Sequence, residues 1–365
     1  MSKRRRQDGE EGQAANYDGR SGSKHKSLYL VLDDWHGGFT IRKLDTNNPD
    51  LSAPPVFRLA SPLNNHAMDF AALGTNIIAT SNRCTATVVF DTETAALAIG
   101  NPLPDALLNA VNFFVTADDT LFAFTYHFMS RPPAFEVMTT AAAKDEMMRS
   151  LCPSTDWSWE SIPAPFTKHQ RIVSYALHPD GRTVFVSVDD RKVSGTGTFS
   201  FDSESREWRR HGEWVLPFHR QGYFDAELDA WVGLHPDGYV CSCQVPSLSL
   251  GGSSSNSGSN TTQQQPSWKM AKGQKLWSPT HQVSKSQGAT LTSMGNSRFF
   301  LVDCVVADGF EFQDAFEDPH GFVLNMTTFR LKYNHQGKLR IVDRNTTSCP
   351  VSRQLSSFAP VAFWM

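Results

Sequence analysis

The chain carries almost no net charge: 34 Lys and Arg stand against 37 Asp and Glu. A broad nucleic-acid-binding face is therefore not expected, because phosphate backbones are gripped by a clustered cationic surplus. No apolar run approaches the roughly 20 residues that cross a bilayer as a helix, so no membrane association is expected either. The opening Met1-Ser2-Lys3-Arg4-Arg5-Arg6 turns polar and acidic without the apolar stretch of a secretion signal. These absences point to the cytoplasm, the nucleus or both.

Cysteine is scarce, with six in 365 residues. Cys84, Cys152, Cys304 and Cys349 stand alone, and only Cys241 and Cys243 are close. Two-residue spacing puts both on one face of a strand, poorly placed for a disulfide. No second Cys or His pair follows at zinc spacing. Free buried thiols are expected, with no metal and no cofactor. Gly-rich phosphate loops, His-Glu-x-x-His helices and Gly-x-Ser-x-Gly elbows are also missing. No catalytic residue is nominated, and the reading is of a protein that is not an enzyme.

What is present is a hydrophobic share of 40%, enough for a core, distributed in short alternating runs. Leu28 to Leu32 and Phe39 to Leu44 flank the turn Asp33-Asp34-Trp35-His36-Gly37-Gly38, which predicts a hairpin. Phe90-Asp91-Thr92-Glu93-Thr94 returns as Phe201-Asp202-Ser203-Glu204-Ser205, and His178-Pro179-Asp180-Gly181 returns as His235-Pro236-Asp237-Gly238. Such turn chemistry between strand-like runs, recurring along one chain, predicts stacked antiparallel units. The expected fold is all-β, a six-bladed propeller over residues 28–365. The apolar tail Phe358 to Trp364 supplies the fourth strand of the first blade and closes the ring. Residues 1–27 read as a disordered arm, and 247–267 as a disordered Ser/Gly/Asn/Gln insertion. An alanine-rich stretch from Thr139 to Met148 predicts a short helix.

Phe201 to Trp208 resembles the kelch pattern, in which an aromatic-Asp turn precedes a Trp on the outer strand. Leu97 takes the equivalent place in the second unit, and Gly37-Gly38 is the one well-placed glycine pair. Leu28 to Trp35, together with Tyr223 to Leu234, is similar to a grass-expanded family of plant proteins related to F-box-associated kelch propellers. That resemblance implies a plant source and a propeller, and carries over no catalytic residues.

Three functional readings follow. The leading one is a non-enzymatic, monomeric scaffold whose partners are other proteins. The second is an enzyme or carbohydrate-binding propeller with its site at the channel mouth. The third is a nuclear regulatory protein, resting on Lys3, Arg4, Arg5 and Arg6 as an import cluster. Asp33, Asp34 and His36, the histidines His178 and His235, and the acidic stretch Asp308, Glu311, Asp314, Glu317 and Asp318 are read as turn and loop residues rather than sites. The tryptophans are read mainly as packing between units.

Overall fold

The computed structural model describes residues 26–63, 66–128, 130–140, 157–190, 195–248, 264–273, 275–277 and 286–365. Short strands dominate, as expected from runs of Val, Ile, Phe and Thr punctuated by Gly, Asp and Asn. Numbered in chain order, they form five sheets. The first orders β24 (Val361–Trp364), β1 (Leu28–Trp35), β2 (Gly38–Leu44) and β3 (Phe57–Ala60). The second runs β4 (Asp69–Leu73), β5 (Asn76–Ser81), β6 (Cys84–Asp91) and β7 (Leu97–Gly100). The third runs β8 (Val111–Ala117), β9 (Thr120–Tyr126), β10 (Phe135–Thr140) and β11 (Trp157–Ile162).

The fourth sheet has eight strands. One half is β12 (Gln170–Leu177), β13 (Thr183–Asp190), β14 (Gly197–Asp202) and β15 (Glu207–Gly212). The other half is β16 (His219–Asp225), β17 (Ala230–His235), β18 (Tyr239–Gln244) and β19 (Trp268–Met270). The fifth sheet runs β20 (Ser286–Gly295), β21 (Arg298–Val306), β22 (Phe322–Tyr333) and β23 (Leu339–Val351).

The expected six-bladed, kelch-like propeller with a ring closed by the C-terminal strand is corrected. Hydrogen bonding defines five sheets rather than six blades, and every one is open. Two four-stranded units fuse because β12 and β16 pair in parallel through Ser174, Tyr175 and Ala176 against Arg220, Gln221 and Gly222. The C-terminal strand β24 pairs antiparallel with β1, from Leu28↔Trp364 to Val31↔Val361, as one edge of an open sheet.

The recurrent turns sit where their chemistry is useful. In the β6–β7 and β14–β15 turns, Asp91 and Asp202 accept the backbone N–H two residues on, at 3.0 and 2.8 Å. His178 and His235 each accept, at Nδ1, the N–H of the following Asp at 3.2 Å. Gly181 and Gly238 then take φ values of 75° and 92°, which a side chain resists. One His-Pro-Asp-Gly turn joins β12 to β13 and the other β17 to β18, so it is not a register mark.

The core lies between sheets. Phe122, Phe124 and Phe135 from β9 and β10 meet Val184, Val186 and Phe201 from β13 and β14. Leu28, Leu30 and Leu32 from β1 meet Phe300, Val302, Leu324 and Met326 from β21 and β22. Trp231 is fully buried, and its indole N–H donates to Leu177 O at 2.7 Å. Trp208 packs on Phe135, Phe166 and Phe201. Leu97, opposite Phe90 as Trp208 is opposite Phe201, is instead half exposed.

Lys3, Arg4, Arg5 and Arg6 lie outside the described residues, as do 249–263 of the Ser/Gly-rich insertion. The expected helix from Thr139 to Met148 is strand at Thr139 and Thr140, and its remainder is also outside them. After the insertion, β19 from Trp268 to Met270 pairs antiparallel with β18.

Candidate functional site

One cavity of about 1170 Å³ is walled mainly by β4, β8, β12, β16, β20 and β24. Side-chain bonds between neighbours fix their relative direction. Asn112 reaches Asp69 and Thr116 reaches Ala72 O, so β8 runs alongside β4 in the same sense. Thr290 and Thr292 donate to Pro360 O and Ala362 O, which does the same for β20 and β24. β12 and β16 pair in parallel. Phe113 meets Tyr175 near the middle of β8 and β12. Ser297, just past β20, donates through N and Oγ to Asp225 at the end of β16. Phe70 near the start of β4 packs on Phe358, ahead of β24. The starts of these strands therefore gather at one mouth.

That mouth holds Asp69, Asn112, His219 and Arg220. Asn112 Nδ2 donates to Asp69 Oδ2 at 3.0 Å and to Leu107 O at 3.2 Å. Its Oδ1 is buried without a partner among the described residues. Ser174, level with Arg220 in the β12–β16 ladder, likewise has a buried, unpartnered Oγ.

Asp69 retains some accessible surface, yet protein surrounds it, so that surface faces the cavity. Desolvation pushes its carboxyl up to about 7, against the lowering effect of the Asn112 amide. His219 is likewise open to the cavity and walled in by protein. Burial, reinforced by Arg220 and Arg171, lowers it to about 4, so it is neutral at neutral pH. Tyr175 is pushed up to about 12 by burial and partly eased by Arg220. Tyr223 is also driven up by burial, with Tyr175 adding to the effect. One guanidinium thus acts on both an imidazole and a phenol.

The backbone at this point is unusual. Between His219↔Leu234 and Tyr223↔Val232 the β16–β17 register shifts, forming a bulge. Arg220 inside it has φ +61°, a left-handed conformation uncommon for a residue with a long side chain. The Phe218 ring fills the space over Gly222 and Gly233, where any β-carbon would collide with it. The bulge sets His219 and Arg220 on the cavity wall. At the opposite end the lining includes Lys26, Lys43, Glu93 and His178.

The residues weighed from sequence lie elsewhere, apart from the turn histidine His178. Asp33 is fully buried and paired with Arg353; Asp34 pairs with Arg42 at 2.8 Å and accepts from Thr40. Asp308 to Asp318 form turns, with Phe312 and Phe316 packed toward Phe322. The sequence reading missed Asp69, Asn112, His219 and Arg220. The available signal was faint: a polar residue in the first two positions of β4, β8 and β16. Cys84, Cys241, Cys243, Cys304 and Cys349 are free thiols, and burial raises the pKa of the last four. Among the described residues no cluster of three or more His, Cys, Asp or Glu is placed to hold a metal ion. Among them, too, no helix is long and apolar enough to cross a membrane.

Fold and cavity together define an all-β protein of open sheets, antiparallel apart from the β12–β16 pair, with a polar-mouthed internal site. The chain belongs to the family described as "Protein of unknown function (DUF1668)", whose model matches residues 25–349. This family replaces the kelch-like, F-box-associated assignment, and no finding carries the implied plant source. No curated protein matches the chain.

Among solved structures, it resembles TolB from Acinetobacter baumannii at 11% identity and TM-score 0.44, covering 93% of this chain and 66% of TolB. It also resembles a protein provisionally assigned as a 6-phosphogluconolactonase from Bacteroides uniformis, at 13% identity and TM-score 0.47, covering 93% and 100% of the two chains. A nidogen/laminin complex gives 11% identity and TM-score 0.44, covering 90% and 99%. The non-enzymatic kelch scaffold is corrected together with the kelch-like assignment it rested on, which the family match replaces.

Proposed function

We propose that this chain binds a small polar molecule in the cavity bordered by β4, β8, β12, β16, β20 and β24. One observation carries the reading: a space of about 1170 Å³ with Asp69, Asn112, His219 and Arg220 at one mouth. Ligand sites combine concavity with a few converging polar groups in an otherwise apolar lining. Here the apolar lining comes from residues such as Phe70, Phe113, Tyr175 and Phe358. The buried orphan oxygen of Asn112 supports the same reading, because an unpaired buried acceptor costs about 1–3 kcal/mol unless something satisfies it.

A second reading, that the bound molecule is also turned over, has one observation in its favour. A carboxyl titrating near 7 beside a cavity suits general acid–base chemistry at neutral pH. Protein partners and a cytoplasmic or nuclear site of action remain compatible with a ligand-binding role.

The test is a ligand-observed NMR screen of polar fragments against the wild-type chain and Val111→Trp. Val111 lines the cavity and is 38% exposed, so a larger ring there obstructs the mouth without entering the core. Fragments that bind wild type and are lost in a folded V111W support the site. Fragments that bind both equally, or none at all, refute it.

A further inference from the structure

We infer that the molecule taken up at this mouth is an anion, a small organic acid or phosphate ester, held by Arg220. The inference rests on the ligand-binding reading above and adds the chemical class. Three observations carry it. Arg220 lines the cavity and makes no hydrogen bond or ion pair among the described residues. Arg220 is exposed toward that cavity, and a guanidinium there without a carboxylate partner is an open fork, shaped for two oxygens of a carboxylate or phosphate.

Its backbone is held at φ +61° within a bulge, and such strain persists where the surrounding fold enforces it, often at ligand sites. Here the enforcement is visible: Phe218, one residue before the bulge, is wedged over Gly222 and Gly233. Neighbouring groups complete the recognition without neutralising the cation. His219 is adjacent and neutral at neutral pH, so it offers a ring N–H and not a competing charge. Arg171, bonded to Asp189 at 3.6 Å, adds positive potential from β12.

Asp69, the acidic member of the mouth, sits on β4 and is held by the Asn112 amide. Burial favours its neutral form there. A protonated Asp69 would donate to the polar body of an anionic ligand instead of repelling it. Tyr175 and Tyr223 hold protonated hydroxyls along the same wall.

The experiment compares one five-carbon skeleton in three forms: ribitol, ribonate and ribitol 5-phosphate. Titration calorimetry on the full chain is expected to give at least tenfold tighter binding for one or both anions than for ribitol. Arg220→Asn tolerates left-handed backbone and should reduce that anion's affinity at least tenfold, to near that of ribitol. Arg220→Lys, which keeps the charge and loses the fork, should fall between them.

Tighter ribonate would identify a carboxylate ligand, and tighter ribitol 5-phosphate a phosphate. Equal binding of all three, abolished by V111W, would overturn the anion assignment and leave the cavity reading standing. Binding of none would overturn the anion assignment, and the fragment screen would then decide the cavity itself. If R220N does not fold, the wild-type ranking of the three compounds and the R220K result decide alone.

Discussion

Arg353 and Asp33, 320 residues apart in the chain, form a fully buried ion pair through Nε and Oδ1. Asp33 also accepts the N–H groups of Gln354 and Leu355 at 3.1 and 2.7 Å, while Arg353 donates to Phe358 O at 2.6 Å. The guanidinium lies near the faces of Phe322 and Phe358. The pair thus ties the segment after β23 to β1, immediately before β24 joins the same sheet. Arg353→Met leaves a buried carboxylate without its cation and is expected to cost about 3–5 kcal/mol. Urea unfolding of R353M, D33N and the double variant measures it. Independent, additive losses would mean that the two residues do not act as a pair.

Asp69 and His219 should give stability opposite dependences on pH. The folded carboxyl titrates near 7 against an ordinary 3.8, so the folded chain holds a proton that the unfolded chain has released. Its contribution is lost as pH rises from about 4 to 7. His219 titrates near 4 when folded against 6.5, so its contribution is lost as pH falls from about 6.5 to 4. Between those limits the two offset one another. Asp69→Asn should make stability rise more steeply with pH, and His219→Gln should make it fall. Urea midpoints at pH 4.5, 5.5 and 6.5 check both signs, and matching slopes in the two variants would refute the assignment.

Gly222 and Gly233 are required by one phenyl ring. A β-carbon at Gly233 would stand 2.5 Å from Phe218, and one at Gly222 would also collide with the ring. Gly222→Ala and Gly233→Ala are each expected to cost about 1–3 kcal/mol through overpacking. Phe218→Leu should relieve part of that loss. Thermal unfolding of the singles and doubles tests it, and strict additivity would rule out the shared cause.

Trp231 offers a cleaner measure of one hydrogen bond between units. Its indole N–H meets Leu177 O while its ring meets Phe185, with centroids 5.1 Å apart. Trp231→Phe deletes the donor and part of the ring in a fully buried position. A loss of about 1–3 kcal/mol is expected from the unsatisfied carbonyl, plus a packing term. An unchanged chemical denaturation midpoint would show that this contact contributes nothing.

Strand positions were legible because period-two alternation and Asp/Gly turns are local signals. Trp157 to Ile162, Thr183 to Val188 and Phe299 to Val306 all lie within strands of the folded chain. The division into sheets was not legible, because β12 and β16, the first strands of two antiparallel units, are joined across a three-residue parallel ladder that no turn announces. The site was hidden for a similar reason. Asp69, Asn112 and His219-Arg220 come from strands far apart in the chain, and each looks like an ordinary strand entry. Only the common direction of the six strands brings them to one mouth. Arg353 was equally silent, since a lone arginine in a polar segment carries no mark of burial.

The mouth draws its walls from several sheets at once, with Asp69 on β4, Asn112 on β8 and Arg220 on β16. Whatever settles there fastens separate parts of the chain and favours the folded form over the unfolded one. Occupancy at 100 times the dissociation constant would add about 2.7 kcal/mol to the unfolding free energy. A melting-temperature screen across metabolite libraries can therefore report the natural occupant before any assay for its chemistry exists.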